Sequence, residues 1–254
     1  MDDKKIYFAS DFHLGSDHFG NSLEREKRII RWLDHIKNDA AELYLVGDIF
    51  EFWFEYKRAV PKGFVRLLGK LAEISDSGIP IHYLTGNHDI WLKTYFQEEL
   101  NFKVYFEPVI RDINGLKFYI AHGDGLGPGD FGGKFVNSIM KNGIAKWLFG
   151  KIHPDLGIKL GYYFSHKSGV KSKRNGELYH GDDKELLVLH SKSVLEKEHV
   201  DFFIFGHRHM ALDMKLTETS RYVNLGDWLN INSYGELDGK NFELKYFEQE
   251  LPVV

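Results

Sequence analysis

Short apolar runs that stop abruptly at glycine or polar residues are the most regular pattern along the chain. Five of them are rich in β-branched and aromatic residues: Ile6–Ala9, Leu43–Val46, Ile81–Leu84, Phe118–Ala121 and Phe202–Phe205. Runs of this length and composition predict strands that are buried in the protein. The polar residues that follow each run are therefore expected at the C-terminal end of a buried strand.

Helical patterns separate these runs in the first half of the chain. Ser22 to Lys37 places apolar residues on one face among charged ones, which predicts an amphipathic helix, and Phe64 to Ile74 repeats the pattern. Further strands and their hairpin turns are predicted beyond Asn101: Val104–Ile110, Leu116–Ala121, Ala211–Leu216, Arg221–Leu225 and Asn241–Phe247, with turns at Asn114-Gly115 and Asp238-Gly239. We therefore predict an α/β fold of two mixed sheets packed face to face, with helices outside.

Residues 127–180 interrupt this alternation. Their pattern predicts two or three helices, spanning Lys134–Gly150 and Asp155–Lys167, followed by a basic stretch that ends at Arg174. We expect residues 1–126 and 181–254 to form the core and residues 127–180 to form an inserted helical segment. Two interpretations of this segment are open: helices packed on the sandwich as decoration, or a lid with apolar and basic elements over a site.

Composition narrows the class of protein. The chain has 254 residues, 28% of them charged, a mean hydropathy of −0.35 and a formal net charge of −4. This charge argues against general nucleic-acid binding, and no protein partner is predicted. The chain has no cysteine, and its first residues lead straight into the first strand without a signal peptide, which together favour a cytoplasmic location.

Polar motifs follow the five apolar runs in a fixed order. They are Asp11-Phe12-His13, Gly47-Asp48, Gly86-Asn87-His88-Asp89, His122-Gly123-Asp124 and Gly206-His207-Arg208-His209. Carboxylate, imidazole and carboxamide groups gathered from several strand ends suit divalent metals of intermediate softness. Two such cations ~3.5–4 Å apart neutralise phosphoryl oxygens and acidify a water for attack. The motifs therefore predict a two-metal centre that cleaves phosphoesters.

The motif residues divide into two sets of metal ligands. The first set is Asp11, His13 and His209. The second set is Asn87, His122 and His207. Asp48, on the loop after a fully apolar strand, is the candidate for a carboxylate that bridges the two cations.

His88 is the candidate catalytic acid. An imidazole beside the Asn87 ligand could stabilise developing charge or protonate the leaving oxygen, and Asp89 would orient its ring. The alternative is a histidine with a structural role only.

Together the five motifs resemble the calcineurin-like metallophosphoesterase superfamily, whose pattern is D-x-H, G-D, G-N-H-D/E, a later His, and G-H-x-H. All five blocks are present between Asp11 and His209. The resemblance implies a four-layer αββα sandwich, here with an inserted helical lid.

Three longer blocks resemble the UDP-2,3-diacylglucosamine pyrophosphatases of lipid A biosynthesis: Gly47-Asp48-Ile49-Phe50-Glu51-Phe52-Trp53, His122-Gly123-Asp124-Gly125-Leu126 and Leu225-Gly226-Asp227-Trp228. This narrower resemblance implies two Mn²⁺ ions, a lid that holds acyl chains, and hydrolysis of UDP-2,3-diacylglucosamine to UMP and 2,3-diacylglucosamine 1-phosphate. It also implies substrate contacts at five residues: Asp130, Ser165, Ser168, Lys171 and Lys173. The basic stretch is expected to meet the diphosphate or the cytoplasmic face of the inner membrane, as a peripheral contact.

The chain departs from the lipid A enzymes at His88, where those enzymes usually have arginine. Arginine clamps a phosphate and keeps its proton, whereas histidine can act as an acid. Two other functions therefore stay open: a soluble metallophosphoesterase acting on another nucleotide or phosphodiester, and a metal-binding scaffold without turnover. The complete ligand set argues against the scaffold.

Overall fold

A computed structural model describes residues 4–17, 20–129, 131–175, 179 and 181–248, except for the side chains of residues 131–133, 135, 136 and 167–175. The strands are β1 Lys5–Ala9, β2 Ala40–Val46, β3 Ile81–Leu84, β4 Lys103–Tyr105, β5 Val109–Ile113, β6 Leu116–Ala121, β7 Phe202–Phe205, β8 Ala211–Lys215, β9 Arg221–Leu225, β10 Ser233–Asp238 and β11 Asn241–Tyr246. The helices are α1 Ser22–Ile36, α2 Val65–Asp76, α3 Tyr95–Leu100, α4 Phe131–Lys141, α5 Gly143–Phe149, α6 Pro154–Asn175 and α7 Leu186–Leu195.

These strands form two mixed sheets. The first has the order β11-β10-β1-β2-β3-β4, and β1 to β4 run parallel within it. The second has the order β5-β6-β7-β9-β8, with β6, β7 and β9 parallel. The carboxyl ends of parallel strands meet at one edge of a sheet, so each sheet brings its motifs together.

Strand β2 shows why the motif strands end in apolar runs. Its side chains alternate between two faces: Leu43 and Leu45 pack in the cluster beneath the outer helices, and Tyr44 and Val46 pack between the two sheets. A stretch buried on both faces, such as 43–46, favours apolar side chains at every position. The polar residues are thus displaced to the strand ends.

Two outer layers of helices complete the sandwich. Side chains of α1, α2 and α3 pack on the outer face of the first sheet, and Leu187 and Val188 of α7 pack on the second. Between the sheets, the Phe8 ring stacks on Tyr44 within its own sheet and on Phe118 of the other sheet. The expected αββα order of layers is therefore confirmed.

One predicted strand is wrong. Val104–Ile110 was expected as a single element, but the chain forms β4 and β5 in two different sheets. Pro108 lies between them and has no backbone N–H for a ladder. The prediction also missed β10, which pairs antiparallel with β1 and carries Gly235 and two acidic residues, a weak strand signal.

Three helices, α4 to α6, follow β6 and occupy most of the predicted insertion. Helix α6 continues to Asn175, eight residues beyond the predicted end. The division of the chain into a core and an inserted segment stays a prediction. Among the described residues, no helix is both long and apolar enough to cross a membrane.

Candidate metal centre

Five strand ends, three from the first sheet and two from the second, bring the predicted ligands together. Oδ1 of Asp11 lies 3.6 Å from Nε2 of His13 and 3.4 Å from Nε2 of His209. These three side chains offer ligand atoms that lie within 4.8 Å of one another, a spacing that could hold a metal ion. They are the three residues predicted for the first cation.

A second group of the same kind adjoins the first. Asp48, His122 and His207 also offer atoms within 4.8 Å of one another. Oδ2 of Asp48 lies 3.2 Å from Nε2 of His122 and 3.7 Å from Nε2 of His13. One carboxylate oxygen thus faces both groups, which is the place a bridging ligand requires.

The backbone at these residues is strained. Five of the predicted ligands have positive φ angles: Asp11 55°, His13 44°, Asp48 53°, His207 67° and His209 51°. Each such residue costs of the order of 1–3 kcal/mol and persists only where its surroundings enforce it. Contacts between the motifs supply that enforcement, since the N–H of His13 donates to the carbonyl of Asp48 and the N–H of His207 donates to the carboxylate of Asp11.

Two motif positions must be glycine because a carboxylate lies too close to the backbone for a Cβ atom. A Cβ on Gly86 would overlap the Asp48 carboxylate, and a Cβ on Gly206 would lie 2.5 Å from Oδ2 of Asp11. The carboxylates pack directly on the backbone of the neighbouring motifs. The glycines therefore set how closely the motifs can converge.

The outer nitrogens of three ligand imidazoles are held by hydrogen bonds. Nδ1 of His122 donates to the carbonyl of Val46 at 2.9 Å, so Nε2 is the nitrogen that faces Asp48. Nδ1 of His13 lies 2.9 Å from Glu51, and Nδ1 of His209 lies 3.2 Å from Asp227. Such partners fix the tautomer and orientation of metal-binding histidines.

Several buried polar atoms at the centre have no hydrogen-bond partner. They are Oδ1 of Asp11, Nε2 of His13, Oδ1 of Asn87 and Nε2 of His122. Burying such atoms unpaired is unfavourable, and their convergence on one place indicates that a ligand completes them. The oxygen and nitrogen donors fit divalent cations of intermediate softness.

The pKa shifts of the predicted ligands are also consistent with cation binding. Burial alone would raise the pKa of Asp11, but His209 and His13 more than offset it and bring it to about 2. Burial would lower the pKa of His13, yet Asp11 and Glu51 raise it to about 10. Burial and the adjacent His122 lower the pKa of His207 to about 4. Without a metal, the carboxylates thus hold protons on some of the imidazoles that a cation would displace.

His88 lies beside the two groups. Its Nε2 is 3.9 Å from Oδ2 of Asp48, and its Nδ1 is 2.9 Å from the carbonyl of Glu51 and 2.7 Å from the hydroxyl of Ser165. Nδ1 points away from the centre, so Nε2 is the nitrogen that faces it.

Asp89 does not orient the ring of His88, contrary to the prediction. Its buried carboxylate accepts hydrogen bonds from the N–H of Ile49, the hydroxyl of Tyr83 and the N–H of Gly86. Burial, with the nearby Asp48, raises the pKa of Asp89 to about 6. Asp89 therefore holds the loop that carries Asn87, and Glu51 and Ser165 hold the ring.

Two residues at the centre were missed as functional residues. Glu51 contacts His13, and Asp227 contacts His209 while its Oδ1 accepts from the N–H groups of residues 229–231. Both lie inside blocks that carried the family resemblance, which was the available signal.

The predicted substrate contacts are only partly within the described structure. Ser165 lies at the centre, against Glu51 and His88. Asp130 is outside the described residues, and Ser168, Lys171 and Lys173 lie on α6 with their side chains outside the described part. Their roles stay predictions.

Comparison with known proteins decides the family. The family model of calcineurin-like phosphoesterases matches residues 4–211. The chain belongs to this family. Members are metal-dependent phosphoesterases, so the centre is one for divalent metal ions.

The family has relatives that match over nearly the whole chain. The chain is 38% identical over 256 residues to the UDP-2,3-diacylglucosamine hydrolase of Porphyromonas gingivalis, covering 96% of this chain and 98% of that protein. It is 27% identical over 247 residues to the enzyme of the same name from Shewanella baltica, covering 96% and 99%. Among solved structures, a conserved protein from Streptococcus pneumoniae aligns with a TM-score of 0.42 and 13% identity, covering 99% of this chain and 96% of that one.

Proposed function

We propose that the protein hydrolyses the diphosphate of UDP-2,3-diacylglucosamine, releasing UMP and 2,3-diacylglucosamine 1-phosphate, as the names of the full-length relatives suggest. The observation that carries the chemistry is Asp48 between two ligand groups, with one oxygen 3.2 Å from His122 and 3.7 Å from His13. A shared carboxylate is what two cations need in order to sit side by side on one phosphoryl group.

Seven residues would hold two Mn²⁺ ions: Asp11, His13, Asp48, Asn87, His122, His207 and His209. The mixed nitrogen and oxygen set disfavours Mg²⁺ and Ca²⁺, which prefer oxygen alone. When bound, the ions supply positive charge that neutralises the phosphoryl oxygens and makes a water acidic enough to attack.

His88 would handle the proton of the leaving group. Its Nδ1 is engaged by Glu51 and Ser165, so Nε2 is the nitrogen free to meet a substrate above Asp48. A protonated imidazole at this place can donate to the departing phosphate oxygen. Arginine in the same place could only neutralise charge.

Two cavities adjoin the centre, one at each ligand group. One, of about 340 Å³, is lined by His122, Asp124 and Asn137. The other, of about 520 Å³, is lined by His209, Asp227 and Tyr179. A cavity at each ligand group suits a diphosphate that carries a bulky group on both ends.

Helices α4 to α6 would take the acylated end of the substrate. Against the core they form an aromatic cluster in which Phe149 packs on Phe52, Phe54 and Trp91. Each CH₂ of an acyl chain buried in such surroundings contributes ~0.8 kcal/mol. We include Asp130, Ser168, Lys171 and Lys173 in this proposal as polar contacts of the substrate.

The outer face of the same helices would touch the inner membrane peripherally. Trp147 is 61% exposed, Leu148 56% and Phe164 62%. Lys151 lies 5.1 Å above the Trp147 ring, so positive charge accompanies the exposed aromatics. Aromatic residues next to lysine suit the interface of an anionic membrane, where the substrate's acyl chains also reside.

Product identification tests the proposal. Mn²⁺ and UDP-2,3-diacylglucosamine are added to the metal-free protein, and the products are identified by mass spectrometry. We expect UMP and 2,3-diacylglucosamine 1-phosphate in equal amounts, and none with a chelator. Cleavage of a small chromogenic phosphodiester without these products would favour a general phosphodiesterase, an alternative that His88 in place of arginine supports. No turnover of either compound would leave a metal-binding scaffold.

A further inference from the structure

Ser165 lies where helix α6 meets the metal centre. Its hydroxyl is 2.5 Å from Oε1 of Glu51 and 2.7 Å from Nδ1 of His88. Glu51 and His88 belong to loops of the core that follow β2 and β3. The contact therefore joins the helical segment directly to the residues around the metal ligands.

The hydrogen-bond donors at this place can be assigned. Oε2 of Glu51 accepts from Nδ1 of His13, so the carboxylate receives bonds at both oxygens. The hydroxyl of Ser165 has a single proton, and an ionised carboxylate can only accept. Ser165 therefore donates to Glu51, whose carbonyl oxygen is also 2.9 Å from the hydroxyl. The Ser165 oxygen accepts from Nδ1–H of His88 and shares that proton with the Glu51 carbonyl, 2.9 Å from Nδ1.

Small residues allow α6 to come this close. Gly157, Gly161 and Ser165 are spaced four residues apart and so share one face of the helix. A Cβ on Gly157 would overlap the Tyr56 hydroxyl, and a Cβ on Gly161 would overlap the Phe52 ring. The helix is thus seated along the loop that also carries Glu51.

We propose that Ser165 is a positioning residue through which the seating of α6 sets the ring orientation of His88, with Glu51 holding the Ser165 hydroxyl. The inference rests on the proposed function, since His88 is the proton donor there. When α6 is seated, one carboxylate holds the ligand His13 and, through the Ser165 hydroxyl, the acid His88. Displacing α6 would remove the Ser165 contact of His88 and leave the direct contact of Glu51 with His13 in place. The position of α6 is thereby coupled to the geometry of the proton donor.

Removing the hydroxyl should affect turnover and not binding. For Ser165→Ala we expect kcat on a chromogenic phosphodiester to fall about tenfold, with KM and Mn²⁺ affinity changed less than about twofold. Ser165→Thr, which keeps a hydroxyl, should restore most of kcat. Ser193→Ala is the matched control, because Ser193 is exposed on α7 and its hydroxyl donates to the carbonyl of His190. A kcat for Ser165→Ala equal to that of the control would overturn the proposal.

A double-mutant cycle tests whether Ser165 acts through His88. In a His88→Ala background, Ser165→Ala should have no further effect on kcat, because the group that it positions is gone. Equal effects of Ser165→Ala in both backgrounds would overturn the proposal.

The position of α6 on the core can be changed without removing a hydrogen-bonding group. Gly161→Ala forces α6 away from Phe52 and should reproduce the kcat loss of Ser165→Ala. Gly143→Ala is its control, since a Cβ there meets open space. If Gly161→Ala left kcat unchanged, seating would not be what sets the His88 ring.

A measurement on the metal-free protein needs no activity. ¹⁵N NMR of the imidazoles should show the Nδ1 proton of His88 exchanging with solvent about tenfold faster in Ser165→Ala than in the wild type. Unchanged exchange would contradict the proposal. Because the kinetic tests use a small phosphodiester, failure to cleave UDP-2,3-diacylglucosamine would overturn the substrate proposal and leave this one standing.

Discussion

The sandwich and the helical segment differ in how they use apolar residues. In α1 of the sandwich, Ile29 and Trp32 are fully buried against the first sheet. In α5 of the helical segment no residue is buried, and Trp147 and Leu148 are more than half exposed. The sandwich uses its apolar residues to hold strands in register. The segment leaves several of them exposed.

This difference separates two tasks. The strained ligand residues need rigid support, and the two buried sheets provide it. Selecting a lipid-like substrate needs apolar surface that is available before the substrate arrives. We therefore assign the chemistry to the sandwich and the choice of substrate to the helices, with Ser165 as the link between them.

The largest expected effect comes from removing the bridging carboxylate. Asp48→Ala should lower kcat by at least ~10⁴-fold, equivalent to the loss of ~5.5 kcal/mol of transition-state stabilisation. It should also weaken both metal sites, measured by metal content after dialysis, while circular dichroism shows the fold largely intact. Asp34→Ala is a suitable control, because Asp34 makes partly exposed ion pairs with Lys37 and Lys70. A variant with two metals and full activity would refute the bridging role.

His88→Ala should have the next largest effect. We expect kcat to fall ~10²–10⁴-fold, because a proton donor acts in the transition state and not in substrate binding. Metal content should hardly change. His199→Ala provides the control, since His199 is exposed and, among the described residues, bonds to Asp201 alone. Loss of metal with unchanged kcat would make His88 a ligand or a structural residue.

A smaller effect is expected from the exposed face of the helices. Trp147→Ser combined with Leu148→Ser should lower activity on UDP-2,3-diacylglucosamine in anionic vesicles about tenfold, because apolar side chains anchor helices in the membrane interface. Activity on a soluble phosphodiester should not change. Val65→Ser alters an exposed apolar residue of the sandwich and should affect neither assay. Equal losses on both substrates would show that the face is needed for folding.

The smallest effect is a release of protons on metal binding. His13 has a pKa raised to about 10 by Asp11 and Glu51 against the effect of burial, so it is protonated near pH 7 in the metal-free protein. A cation needs the neutral imidazole, so apparent Mn²⁺ affinity should rise with pH towards pH 10 and fall as the pH is lowered. Titration calorimetry in two buffers of different ionisation enthalpy should show about one proton or more released. Binding without proton release would contradict this ionisation.

Much of the centre could be predicted because its signal is local. Each proposed ligand shortly follows an apolar strand, so the strand pattern alone predicted Asp11, Asp48 and His122 at the C-terminal ends of buried strands. The supporting residues could not be found in this way. Glu51 is 38 positions from His13, and Asp227 is 18 positions from His209, so each contact exists only once the sheets have assembled. The prediction that Asp89 orients His88 was wrong for the same reason: the contacts of Asp89 with Ile49 and Tyr83 form only in the folded chain.

The fold shows the same limit. The motif strands were predicted because burial on both faces makes their composition unmistakable. The boundary between β4 and β5 was missed because both flanks of Pro108 favour strands, and only the pairing partners place them in separate sheets. For the helices α4 to α6, the pattern indicated their presence but not what their exposed face meets.

The selectivity of the intact protein tests the central claim most directly. The measurement is kcat/KM for UDP-2,3-diacylglucosamine relative to UDP-N-acetylglucosamine, with Mn²⁺ and detergent held constant. If the helices bind acyl chains and use that binding at the reacting phosphate, the ratio should be at least ~10³, because a few buried CH₂ groups at ~0.8 kcal/mol each suffice. A ratio near one would contradict the account and leave a phosphoesterase that does not recognise the acyl chains.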